Sequence, residues 1–149
     1  MKRMLICVSS IALVAFCATA FAAKTSRYHG PAAKGGSVSF KAVSHHGKIK
    51  TVKNFRWKHI PLKCQEGTTK NSGSFTDTIP VHGGKFRVSG NNFSGNQFGE
   101  TRGKFRPNGK ARGRLIINGT FGRSPNRFHH CHVKGGTIRR GVRWHAHHG

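Results

Sequence analysis

From Ser37 onward the apolar residues of this chain recur at every second position, between polar or charged neighbours. Val38, Phe40 and Ala42 alternate in this way, as do Phe55 and Trp57, and then Ile60, Leu62 and Cys64. Ile79 and Val81 follow, then Phe86 and Val88. Leu115, Ile117, Gly119 and Phe121 make the clearest run, and Val142, Trp144 and Ala146 make the last. A period of two is the signature of strands with one buried face. Turn-forming pairs punctuate the runs at His46-Gly47, Gly83-Gly84, Asn108-Gly109, Asn118-Gly119 and Gly135-Gly136. The two Asn-Gly pairs suit the positive φ angles of tight hairpins. No window offers a helical stripe with caps. The pattern predicts an all-β fold over residues 37–149, a small antiparallel sandwich or barrel.

The segments before it read differently. Lys2 and Arg3 precede an apolar stretch that closes on Ala20-Phe21-Ala22. That is the form of a cleavable export signal over 1–22, cut after Ala22, and it predicts a secreted, periplasmic or cell-envelope protein. No other stretch is apolar enough for a transmembrane segment. Residues 23–36 are small, Gly-rich and basic without periodicity, and are expected to form a flexible arm. Short echoes also occur: Gly84-Lys85-Phe86-Arg87 returns as Gly103-Lys104-Phe105-Arg106, too brief for a solenoid repeat.

Export changes the reading of the cysteines. Cys7 and Cys17 lie in the signal, which leaves Cys64 and Cys131 as an even pair. In an oxidising compartment such a pair reads as a disulfide. The loop it closes is worth roughly 4 kcal/mol of chain entropy.

Charge narrows the partners. The chain has 27 Lys and Arg against 3 acids, a net +24, and Lys2 and Arg3 account for two of these, leaving +22. Within the strands the cations sit between the apolar residues: Lys85 and Arg87 around Phe86, Lys104 and Arg106 around Phe105, Arg112 and Arg114 before Leu115. Arg139, Arg140 and Arg143 extend the series to the last strand. Alternation then gathers these cations on the face opposite the core. Solubility alone is the bland explanation, but ordinary surfaces interleave both signs. A basic sheet face is suited to an anionic polymer or an anionic cell surface. There is no recognition helix, zinc-finger spacing or aromatic RNA-binding strand motif, so no sequence-specific nucleic-acid readout is expected.

Histidine is the second signal, with all 11 in residues 23–149. On regular strands His130 and His132 share one face, as do His145 and His147, and imidazoles from neighbouring strands can hold a metal. A strongly positive field opposes that use, and no cofactor is expected. Histidines also titrate near neutrality, so acidification would raise the charge and tighten polyanion binding.

Most enzyme classes find no motif, and Glu66, Asp77 and Glu100 are the only carboxylates for paired-acid chemistry. One catalytic alternative is a metal-free ribonuclease, with His82, His130 or His132 beside Lys85, Arg87 or Glu100.

A Cys after a basic-aromatic strand, a Gly-Gly-x-Phe strand, Ala111-x-Gly113-x-Leu115, a second Cys and a closing Trp144-x-Ala146 occur in that order. In this order the chain resembles small secreted bacterial all-β proteins of uncharacterised function. The resemblance implies export and fold class, and brings no activity with it.

Overall fold

The computed structural model describes residues 22–91, 96–123 and 125–149, so the expected signal lies, but for Ala22, outside the described residues. Ten strands follow one another: β1 (Lys24–Pro31), β2 (Ser37–His45), β3 (Lys48–Cys64), β4 (Gly67–Phe75) and β5 (Ile79–Pro80). After them come β6 (Lys85–Asn91), β7 (Gln97–Arg106), β8 (Lys110–Arg123), β9 (Asn126–Val133) and β10 (Val142–His148). All pairings are antiparallel, and the fold is all-β as the alternation predicts. The path runs β10-β1-β2-β3-β9-β8-β7-β6, and an extra β10–β8 pairing closes β10, β1, β2, β3, β9 and β8 into a ring, with β7 and β6 continuing the sheet from β8. The result is a barrel, with β4 and β5 added on β3.

The chain before Ser37 corrects an expectation. Residues 24–31 are not a flexible arm but β1, paired with β2 along its whole length and with β10 at Tyr28 and His29. Only Tyr28 among its large side chains is apolar, so no periodicity was visible. Backbone pairing on both edges holds the strand, and Tyr28 anchors it, stacked on Phe40 at 5.0 Å. Gly30 is required where β1 crosses β10, since a Cβ there would lie 2.0 Å from the His145 carbonyl oxygen.

Strand β3 explains why its apolar residues change phase. Val52 is buried at an even position, Phe55 and Trp57 at odd ones, and Ile60, Leu62 and Cys64 at even ones again. Asn54 and His59 lie at the two switches, each with φ of 53°. Each supplies an extra residue or local kink that returns the apolar side chains to the interior. One long strand therefore replaces the two short runs that the pattern suggests. A similar bulge at His130, with φ of 49°, separates Phe128 from Cys131 in β9.

The turn pairs His46-Gly47, Gly83-Gly84 and Asn108-Gly109 have positive φ throughout and join β2 to β3, β5 to β6 and β7 to β8. Asn118-Gly119 does not turn. It lies within β8, where a Cβ on Gly119 would meet the Asn96 carbonyl oxygen at 2.1 Å. Close backbone approach, rather than reversal, is the reason for that glycine.

Aromatic rings fill the barrel. Phe40 lies against Tyr28, Phe55, Phe86, Phe105 and Trp144, with ring centroids 5.0 to 6.0 Å apart. Cys64 and Cys131 form the expected disulfide, with Sγ atoms 2.00 Å apart, tying the end of β3 to β9. Beside it Glu66 accepts from the His129 backbone N–H at 2.7 Å and pairs with His129 Nδ1. The side-chain bond to His129, then the backbone one, holds the Glu66 carboxyl below its ordinary pKa. Its contribution is present above the ordinary carboxylate range and is lost as pH falls through the folded value.

Two outcomes test this core. Tyr28 is the only tyrosine, and burial raises its phenol above the ordinary value. The folded state therefore holds the proton more tightly, a contribution present below the ordinary tyrosine pKa and lost as pH rises past it. Phenolate absorbance should titrate later in the native protein than in denaturant; coincident curves would place Tyr28 outside the core. Replacing Gly113 by Ala sets a Cβ 2.3 Å from the Trp144 ring and 2.1 Å from the Arg102 carbonyl oxygen. Such overpacking should cost about 1–3 kcal/mol in denaturant unfolding.

Candidate functional site

Four neighbouring strands, β6, β7, β8 and β10, carry the site, and their register decides it. One rung across them reads Phe86, Gly103, Gly113, Trp144. These point inward: Phe86 is 4% exposed and Trp144 0%. The rings at the ends of the rung cover the two glycines between them, since a Cβ on Gly103 would meet both Phe86 and Trp144. Only glycine lets two flanking aromatics close over the middle strands.

The rungs on either side point outward, and both are basic. The first reads Lys85, Lys104, Arg112, His145. The second reads Arg87, Arg102, Arg114, Arg143. Directly opposed residues have Cβ atoms roughly 5 Å apart, so like charges face one another on every pair of strands. Between the two rungs lies an open trough of about 930 Å³, with Pro80 and His82 at its β6 end. Its width is set by two residues along a strand, about 6.7 Å, and its length by three strand spacings, about 14 Å.

Carboxylates hardly intrude. Glu100, on β7, is 6% exposed and pairs with Arg87 Nη2 at 2.7 Å. Arg114 Nη1 donates to the Arg140 carbonyl oxygen at 3.0 Å, which steers that guanidinium. Among the described residues no carboxylate pairs with Lys85, Lys104, Arg102, Arg112 or Arg143.

Of the nine cations singled out in the sequence, six stand in these two rungs: Lys85, Arg87, Lys104, Arg112, Arg114 and Arg143. Arg106 lies one rung further, opposite Lys110, with Nε buried and unpartnered among the described residues. Arg139 and Arg140 are exposed in the turn before β10 and line no part of the trough. Arg102 was not among the nine, although it completes the arginine row. The signal for it was present, since it precedes Gly103 on the outward phase of β7.

The histidines do not converge. His145 and His147 share the outer face of β10 but belong to successive rungs, and His147 packs edge-on against His29 of β1 at 4.4 Å. The bulge at His130 breaks the alternation that would set it beside His132. Among the described residues no group of three or more His, Cys, Asp or Glu side chains could hold a metal ion.

Comparison with protein-family models, curated proteins and solved structures finds no match to this chain. The site is therefore read from its own residues.

Replacing Glu100 by Gln removes the one carboxylate that the cationic rows hold among the described residues. Arg87 is largely exposed, so water screens much of the pair, and the expected loss is about 1 kcal/mol of unfolding free energy. Equal or greater stability in the variant would mean that Glu100 does not restrain the row.

Proposed function

We propose that this protein is an exported, non-catalytic binder of anionic polymers or surfaces, acting through the outer face of β6, β7, β8 and β10. The observation that carries the reading is the pair of adjacent cationic rungs, eight positions without an acid among them. Like charges directly opposed across strands destabilise a sheet. Folding gains nothing from arranging them so, whereas an incoming row of anionic groups removes the repulsion and adds charge-assisted hydrogen bonds. A solubility device would not need them in register. The amino-terminal A-x-A pattern supports an encounter outside the cytosol, with cell-envelope polymers, acidic glycans or nucleic-acid backbone as candidates.

The ribonuclease alternative needs acid and base within hydrogen-bond reach of one phosphate. His82, opposite Lys85, and His145 stand at opposite ends of the trough, four strand spacings or about 19 Å apart. His130 and His132 belong to β9, outside it. No observation favours that chemistry.

The test is a titration of the purified protein, lacking residues 1–22, against heparin, RNA and a teichoic-acid-like polymer at two salt concentrations. Neutralising about four anionic groups gives a slope of log affinity on log salt near −3. Binding should therefore fall roughly fifty-fold between about 50 and about 200 mM salt, with the RNA intact afterwards. Acidification from neutral to mildly acidic pH should tighten binding, because histidine as a residue type gains charge in that range and 11 of them add to the cationic surface. Absence of binding at low salt would overturn the reading.

A further inference from the structure

The trough has dimensions and walls that select among polyanions, an inference that rests on the binding role proposed above. We propose that its ligand is a single, unpaired phosphate polymer, phosphodiester or phosphoanhydride, lying across the strands between the two rungs and held through its phosphates alone.

Width is the first argument. The strand positions that carry one wall stand about 6.7 Å from those that carry the other, a strip wide enough for one backbone contacted from both sides. A duplex has grooves about 6 or 12 Å wide between the edges of its phosphate groups, so its two phosphate rows stand further apart than the strip is wide and only one of them could occupy it. For a duplex, then, one wall of the trough is left without an anion.

The second argument is the chemistry of the walls. One wall is entirely arginine, with Arg114 held by the Arg140 carbonyl and Arg87 by Glu100. Planar guanidiniums fixed in this way favour bidentate recognition of phosphate oxygens. The opposite wall holds Lys85 and Lys104, which act as mobile point charges.

The third argument is what the face lacks. Sequence-tolerant binders of single strands stack bases on exposed aromatic rings. Here Phe86 and Trp144 are turned inward, and Ile138 is the only exposed large hydrophobic among the described residues. Bases find no Phe, Tyr or Trp ring to stack on here, so a polymer without bases should bind about as well as one with them.

The experiment compares inorganic polyphosphate, an oligouridylate and an oligoadenylate of equal phosphate number with a duplex of equal length. It uses the parent protein and two variants of equal charge loss. One carries Arg102→Gln and Lys104→Gln, both exposed in the middle of the trough. The other carries Lys53→Gln and Lys58→Gln, exposed on β3 outside the four-strand face. Thermal melting of both variants should match or exceed that of the parent, since each removes like-charge repulsion.

The expected result is polyphosphate and both oligonucleotides binding within about threefold of one another, and the duplex weaker per phosphate. The trough variant should lose tenfold or more and the β3 variant less than twofold. Equal losses in the two variants would mean that the net field alone binds, which overturns the trough but leaves the electrostatic role standing. A duplex bound as well as the single chains, or a tenfold preference for either oligonucleotide over polyphosphate, would overturn the ligand class. If nothing binds at low salt, both this inference and the reading beneath it fail.

Discussion

The indole of Trp144 lying over the bare backbone of Gly113 and Gly103 is the contact on which the charged face depends. It fixes how β7, β8 and β10 stand against one another, and the outward rungs inherit that alignment. Its cost is visible: Nε1 of Trp144 is buried without a partner among the described residues. An unpaired indole N–H forfeits about 1–3 kcal/mol. Burying 150–250 Å² of ring returns about 4–6 kcal/mol at 25 cal/mol per Å². Packing wins, and the glycines make it possible. Trp57 repeats the device over Gly73 of β4, and there its Nε1 does find Asn71 Oδ1 at 2.7 Å.

The same arrangement sets energetic terms against each other on the two faces of one sheet. Inside, Phe86 and Trp144 close over two glycines, and Phe40 links these rings to Tyr28 and Phe55 across the barrel. Outside, like charges are pressed into register. The interior and the Cys64–Cys131 bridge supply the stability that tolerates this repulsion, with one carboxylate, Glu100, tucked beneath the row. Departures from local preference of this kind gather where a surface has work to do.

Most of the fold was legible because alternation is a direct record of which face is buried. Phe86 between Lys85 and Arg87 states both the core and the cationic surface in three residues. What was hidden depends on the backbone. β1 is a strand because two neighbours pair with it, and Lys24-Thr-Ser-Arg carries no trace of that. β3 reads as two runs because Asn54 and His59 adopt positive φ, which no periodicity announces. Asn118-Gly119 has the chemistry of a turn, yet sits in β8 beside the Asn96 carbonyl. For the site, the cations were individually visible, but their registration into two rungs follows from strand pairing. Arg102 shares the phase of Lys104 two positions on, but its neighbour is an inward glycine rather than an apolar side chain, and it escaped for that reason.

The seam between β1 and β10 has a consequence for when this protein becomes itself. The first strand of the barrel cannot find its second partner until the last has appeared, so a chain emerging from one end waits, with one edge of β1 bare, for nearly its whole length. Contacts this distant in sequence are slow to form. An open edge invites other chains to pair with it, and charged side chains blunt that hazard. Lys24, Arg27 and His29 lie along β1, and every neighbouring chain would be equally positive. The charge that we propose meets an anionic polymer on the finished surface thus also keeps unfinished copies apart during the interval before closure.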